Sequence, residues 1–350
     1  MVKRKTKLLK IGGVKILPGE VKDIKLKVSE SYTGRSETLS VRVIRSLESG
    51  PIVFLTGVVH GDELTGLGVI REIMFKKLEL LKGTLICAPI LNNYGFENHS
   101  RYLPDRRDLN RSFPGSATAA GRLANVVTEE IIKKSDYGID LHSAATRRTN
   151  FPQIRGDMED QSIRKIAKAF GCELIIHNKG PQESLRASAS NQGCPTIIYE
   201  AGETLKFEPG TIKLGVRGVM NVLKTLGMLK GNPIKPIYQT VIKKTSWIRS
   251  SNGGLLKFYV KPGDLVKKGK KIASCHKLFS KESELLKSPM DGIVLGMTTL
   301  PAVKPGEPIC HIAKPDTPIR EIASQMKKSS TTLHRRIERE LATSFVIEEE

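Results

Sequence analysis

Aromatic residues are scarce in this chain, at 5% with a single tryptophan, and acids are outnumbered by bases, 36 against 57. No apolar run approaches the ~18 residues that a membrane-spanning helix needs, so no membrane partner is expected. The opening residues, MVKRKTKLLKIGG, are basic without an apolar stretch or a small-residue cleavage site, and do not read as a secretory signal. Cysteines number only five (Cys87, Cys172, Cys194, Cys275 and Cys310), an odd count without a CxxC pair. That pattern argues against a disulfide framework and for reduced thiols in a cytoplasmic protein.

The excess of positive charge is unevenly placed. It is +7 over residues 1–50, +5 over 51–230, +10 over 231–315 and −1 over 316–350. With few aromatics and no recognisable DNA or RNA motif, this distribution reads as solvated lysine faces or weak attraction to anions rather than nucleic-acid recognition. At 350 residues, with 39% apolar and 27% charged side chains, the chain has room for one large domain and a smaller one.

Texture divides the chain into four parts. Residues 1–48 alternate polar and apolar positions (DIKLKVSESY, LSVRVIRS), as an antiparallel strand pair does. From 49 to 230, the short apolar runs IVFLTGVV, TLICAPIL, YGIDLH, CELIIH and PTIIYEA alternate with helical patterns near 65–80, 121–134, 160–170 and 211–228. This implies an α/β domain with a parallel or mixed central sheet flanked by helices. After the linker-like KGNPIKP, residues 236–315 are short strands punctuated by Gly, Pro and Asp, a small all-β barrel-like domain. The stretch 316–350 is a tail, able to form one amphipathic helix near 330–343 or to stay flexible.

Ligands of such sheets gather at the carboxyl ends of the strands. His60, His142 and Glu200 each stand where an apolar run stops. His60 and Glu63, in HGDE, are three residues apart across a tight turn, close enough to reach one ion. Zinc takes imidazole and carboxylate ligands, and a catalytic site needs a third, for which His142 in DLHSA is the best candidate. HxxE alone is a weak signal; the long segment NNYGFENHSRYLPDRRDLNRSFPG strengthens it. Its arginines suit carboxylate binding and oxyanion stabilisation, and apolar Leu109 and Phe113 would anchor Asn110 and Arg111 between them.

HGDE, NNYGFENHSRY with DLNRSFPG, DLHSA and PTIIYEAGE together resemble, in order and spacing, the succinylglutamate desuccinylase/aspartoacylase family, a branch of the zinc carboxypeptidase fold. The resemblance covers roughly residues 50–205. It implies one zinc per chain held by His60, Glu63 and His142, with Glu200 activating water at the metal. It further implies Arg101 polarising the carbonyl, Asn110 and Arg111 gripping a substrate carboxylate, and Asp108 orienting His60. Asp140 has a comparable supporting role or is an ordinary helix-cap or loop acid. Glu203, in the same turn as Glu200, competes for the role of base; the strand places Glu200 better. HGDE departs from the family in carrying Asp62 where asparagine is more usual.

The segments YVKPGDLVKKGKKIASC and KSPMDGIVLGM are similar to the biotinyl/lipoyl-like barrel. Lys281 falls in the register of its modified lysine, but its neighbours Ser280 and Glu282 do not favour modification. A barrel that caps the active-site rim or supports a subunit interface is the better expectation, and a homo-oligomer stays open. The expected activity is zinc-dependent hydrolysis of the non-peptide amide bond of a small, carboxylate-bearing N-acyl amino acid or amine. Arg101, Arg106, Arg107, Arg147, Arg148 and Arg155 crowd the expected mouth and suit such a substrate. The alternatives are a zinc carboxypeptidase or peptide-processing hydrolase, and a catalytically inert protein that binds nucleic acid or a partner chain.

Overall fold

The computed structural model describes residues 8–30, 34, 36–329 and 332–342. Its first strands, β1 (Leu9–Ile11) and β2 (Val14–Ile16), form a hairpin, and β3 (Val21–Glu30) pairs antiparallel with β4 (Ser36–Arg45). Next come β5 (Ile52–Gly57), α1 (Thr65–Phe75), β6 (Thr84–Ala88), α2 (Asn93–Glu97) and α3 (Ala119–Glu130). They are followed by β7 (Tyr137–His142), β8 (Arg148–Gly156), α4 (Gln161–Phe170), β9 (Leu174–His177), α5 (Leu185–Asn191), β10 (Thr196–Glu203) and α6 (Pro209–Thr225).

The apolar runs become strands because both of their faces are covered. All five residues of β6 are buried, as are all of β7 after Tyr137. β5 pairs in parallel with β6 and β7, and β7 in parallel with β10. Antiparallel β8 then separates β10 from β9. The central sheet is therefore mixed, with helices on both faces, as the sequence implied. One core lies under α1, α4 and α6, where Tyr199 stacks on Phe170 at 5.0 Å and donates its hydroxyl to Thr211 O at 2.7 Å. The other packs α3 and α5 against β3, β4 and the first hairpin.

Local signals set the helix ends. Asp160 caps α4 by accepting from Ile163 N, and Gly171 ends it at φ +85°. α6 starts on a proline. The helical pattern near 65–80 stops at Phe75, and that near 121–134 continues past α3 only as a single 3-10 turn. β8 escapes the apolar-run reading altogether: it mixes Thr149, Asn150, Pro152, Gln153 and Arg155 into a buried strand.

The strands beyond residue 236 are continuous with this sheet. They are β11 (Thr240–Arg249), β12 (Gly254–Phe258), β13 (Leu265–Val266), β14 (Lys271–His276), β15 (Ser283–Lys287), β16 (Gly292–Thr298), β17 (Ala302–Val303) and β18 (Pro308–Pro315). β11 pairs in parallel with β9 and antiparallel with β18, so β13, β16, β18 and β11 extend the large sheet to twelve strands. β15, β14, β12 and β17 form a second sheet over the same small core. Lys281 is exposed in the connection between β14 and β15. No helix among the described residues is long and apolar enough to cross a membrane.

Two amphipathic helices, α7 (Ile319–Ser329) and α8 (Thr332–Ala342), occupy the tail; residues 330, 331 and 343–350 of that segment lie outside the described residues. His334 of α8 is buried, with Nδ1 2.8 Å from Glu173 and Nε2 3.4 Å from Glu338. Burial lowers the affinity of its imidazole for a proton, but the two carboxylates outweigh burial and raise its pKa to about 10. A folded-state value above the ordinary ~6.5 means that this stabilisation is complete below pH ~6.5 and is lost as pH rises through 10. Thermal melts between pH 6.5 and 10.5 are expected to show the parent losing a few kcal/mol relative to His334→Gln, whose profile should lack that decline. Parallel profiles for the two proteins would refute this linkage.

Candidate active site

The turn after β5 brings His60 and Glu63 together because the backbone folds tightly there: Val58 has φ +49°, and Glu63 N donates to His60 O at 3.2 Å. Gly61 permits a close crossing. A Cβ on it would stand 1.9 Å from the Gly95 carbonyl carbon in α2, so HGDE and NNYGFE pack backbone against backbone. Asn92 organises that second segment: its side chain accepts from Gly95 N and donates to Arg101 O at 3.3 Å.

Glu63 is the hub. One of its oxygens lies 2.6 Å from His60 Nδ1, and the other 2.8 Å from His142 Nδ1, on the end of neighbouring β7. One ligand atom from each of the three residues lies within 4.8 Å of the others, and all three residues are buried. The far ring nitrogens are also engaged: His60 Nε2 with Asp108 at 3.1 Å and His142 Nε2 with Asp140 at 2.8 Å. Asp140 accepts from Thr56 Oγ1 at 2.8 Å, so it is a strand residue fixed between two neighbours rather than a cap or loop acid. Arg101 closes the cluster, donating to Glu63 at 3.1 Å and to Asp108 at 3.0 Å.

The electrostatics favour positive charge. Burial opposes charging of His60, but Glu63 and Asp108 outweigh it and raise its pKa; Asp140 and Glu63 do the same for His142. Burial would raise the Glu63 pKa, yet the two imidazoles hold it far below the usual carboxylate range. Two Nδ1 atoms converging on one buried carboxylate form a donor set that suits a divalent metal, with both imidazoles oriented from behind by carboxylates.

Glu200 sits directly beside His142 in the parallel β10–β7 register. Its carboxylate is held by two neighbours: Asn150 Nδ2 donates to Oε1 at 2.7 Å, and Arg155 Nε lies 2.6 Å from Oε2. Glu203 turns toward the barrel, where Thr299 Oγ1 donates to it at 2.7 Å and Lys206 pairs with it. Asn110 is buried with Oδ1 accepting from Leu185 N at the start of α5, while Arg111 is exposed and donates to Asn110 O. Asp62 is buried, one oxygen accepting from Thr146 Oγ1 at 2.9 Å.

Of the arginines expected at the mouth, Arg101 and Arg155 reach this cluster. Arg106, Arg107 and Arg147 are exposed, and Arg148 lies over Trp247, 4.9 Å from its ring centroid. Trp247 in turn stacks on His311 at 4.2 Å; burial, then Arg155 and Arg148, push that histidine down to about 4. Two polar residues escaped the sequence reading. Asn150 lies in the unrecognised β8. Arg186, in α5, is 4% exposed and bonded to Asn178 at 2.6 Å, with its Nε and Nη1 lacking a hydrogen-bond partner among the described residues. Burial and then Arg155 lower its pKa to about 10, which leaves it cationic near pH 7. A serine N-cap preceding a short helix in ESLRASAS was the only local hint of its placement.

The sequence profile of the succinylglutamate desuccinylase/aspartoacylase catalytic domain matches residues 49–226. The chain is 25% identical over 308 residues to the N-alpha-acetyl-L-2,4-diaminobutyric acid deacetylase of Halomonas elongata, covering 83% of this chain and 90% of that one. Its fold is similar to that of a succinylglutamate desuccinylase/aspartoacylase from Rhodobacter sphaeroides, at TM-score 0.76 and 23% identity over 85% of this chain and 96% of that one. It is also similar to the product-bound ectoine utilization protein EutE (DoeB) from Ruegeria pomeroyi, at TM-score 0.74 and 22% identity over 85% and 97% of the two chains. With over half its length matched by that profile and the triad assembled at the expected strand ends, the chain belongs to the succinylglutamate desuccinylase/aspartoacylase family.

Proposed function

We propose that this chain is a zinc-dependent amidohydrolase that cleaves the amide bond of an N-acyl amino acid or a similar small N-acyl amine. The observation that carries the reading is the buried triad His60, Glu63 and His142, with Glu200 next to His142 on the adjoining strand. The relation to a deacetylase of an N-acetyl amino acid across 90% of that protein's length supports it. His60, Glu63 and His142 would hold one zinc; when bound, zinc supplies a Lewis acid that brings the pKa of water to about 7 and polarises a carbonyl.

The chain's own residues do the remainder. Glu200 accepts the proton of the attacking water and returns it to the leaving nitrogen. The hydroxyl adds to the acyl carbon and the carbon–nitrogen bond breaks, giving a carboxylate and a free amine. Arg101, held by Glu63 and Asp108, offers positive charge to the carbonyl oxygen as it becomes anionic. Asp108 and Asp140 fix the two imidazoles. Asn110 and Arg111 serve the substrate carboxylate, and the unpaired donors of Arg186 call for an anion as well.

Purified protein tested against parallel panels of N-acyl amino acids and peptides, with metal analysis, decides the matter. Deacylation that chelation abolishes and zinc restores is the expected result. Cleavage of peptides alone would overturn the deacylase assignment in favour of peptide processing. Absence of stoichiometric metal together with inactivity in both panels would favour a binding protein. For the active substrate, Arg186→Ala is expected to raise KM about 10- to 100-fold, the cost of about 1.4–2.8 kcal/mol of lost charged hydrogen bonding. An unchanged KM would remove Arg186 from substrate binding.

A further inference from the structure

The C-terminal barrel touches the active site along one seam. β16 lies antiparallel to β8, with Gly296 opposite Asn150, Met297 opposite Thr149 and Thr298 opposite Arg148. Asn150, 9% exposed, is the residue whose Nδ2 donates to Glu200. A Cβ at Gly296 would stand 2.4 Å from Asn150 Oδ1 and 2.9 Å from Thr149 O, so only glycine lets the strand approach with the asparagine in this position.

Past the end of β16 the contact continues. Thr299 N and Thr298 Oγ1 both donate to Arg147 O, at 2.9 and 3.2 Å. Arg147 has φ +61°, a left-handed conformation that costs a non-glycine residue energy, so these bonds hold a strained point of the loop after His142. Thr299 Oγ1 also donates to Glu203 Oε1 at 2.7 Å. The two acids of the EAGE turn are thus sorted by the barrel: Glu203 is tied to it directly, and Glu200 is held through Asn150.

We propose that β16 and the threonines after it are a positioning element of the active site. Gly296 seats Asn150, and Asn150, opposed by Arg155 on the other oxygen, fixes the plane of the Glu200 carboxylate. Glu200 Oε1 accepts from Asn150 Nδ2 while Oε2 is ion-paired with Arg155, and the carboxylate keeps a lone pair for the proton it carries. A base in a bound geometry loses up to about a hundredfold in rate when displaced by about 1 Å, which is what a free rotamer would allow. On this account the barrel does more than cover the rim: it completes the catalytic unit from a region more than ninety residues along the chain from Glu200. The inference rests on Glu200 being the general base.

The test uses the full-length, zinc-loaded protein and the N-acyl amino acid it cleaves best. Asn150→Ala is expected to lower kcat about 10- to 100-fold, with KM within about twofold and metal content and Tm near those of the parent. Asn150→Asp keeps the shape but removes the donor, and should lose at least as much; parental kcat in either variant overturns the proposal. In a Glu200→Gln background Asn150→Ala should add no further loss, because it acts through that carboxylate. A full multiplicative loss there would assign Asn150 another role and overturn the proposal. Gly296→Ala carries the barrel's part and should reproduce the Asn150→Ala loss in kcat. If Gly296→Ala does not fold, Thr299→Val reads the same seam, with a several-fold fall in kcat expected; a parental kcat in the folded variant overturns the barrel's role. Should Glu200→Gln itself turn over at the parental rate, the general-base reading falls, an outcome distinct from an unaffected Asn150→Ala beside an inactive Glu200→Gln.

Discussion

Glu200→Gln is expected to keep metal at the parental stoichiometry while kcat falls about 10²–10⁴-fold, the usual contribution of a positioned general base. The amide preserves size, so β10 and its neighbours should not rearrange. It removes the proton acceptor and leaves Arg155 without its counter-charge. That second loss should cost little stability, because the Arg155 side chain is 31% exposed and water can solvate it. Glu203 cannot substitute, being engaged by Thr299 and Lys206 on the barrel side of the turn. Steady-state kinetics with metal analysis on Glu200→Gln and Glu203→Gln together check the assignment. A Glu203→Gln variant that loses as much as Glu200→Gln, or a Glu200→Gln variant near parental turnover, would move the base elsewhere.

Glu63→Gln should be more severe, purifying without stoichiometric zinc and with activity at background. The carboxylate is 3% exposed and faces both Nδ1 atoms as well as Arg101. An amide there supplies a weaker oxygen and turns a donating NH2 toward the site, where a cation would be repelled. Asp140→Asn makes a graded companion: it leaves the donor atoms intact but weakens the orientation of His142, for which a 10- to 100-fold loss of metal affinity is expected. Zinc titrations monitored by competition with a chelator distinguish the three proteins. Unit zinc in purified Glu63→Gln would exclude this residue as a ligand.

Much of the architecture was legible because burial on both faces forces continuous apolar runs. Those runs end where β5, β7 and β10 deliver His60, His142 and Glu200. The strand β8 was not legible for the converse reason. Its Asn150, Gln153 and Arg155 look like loop residues, since a polar side chain enters a buried strand only when the site needs it there. Arg186 was hidden likewise, as a charge in a seven-residue helix gives no local sign that it will be 4% exposed. Asn110 and Arg111, adjacent in sequence, part company in the structure: one is buried against α5 and the other exposed.

By itself the sequence determined the chemistry on offer: two histidines and several acids at strand ends and turns, an arginine-rich loop among them, and a Gly- and Pro-punctuated β region after them. Those are properties of residue type and short-range periodicity, which act within a few positions of the chain. The tertiary structure decided which atoms meet. Glu63 and His142 are 79 positions apart, and only the parallel pairing of β5 with β7 brings their side chains to 2.8 Å. Asn150 and Gly296 are brought opposite one another by β8 and β16 in the same way. Such contacts depend on sheet register, and register is set by the packing of the whole core rather than by any stretch that a local reading can span.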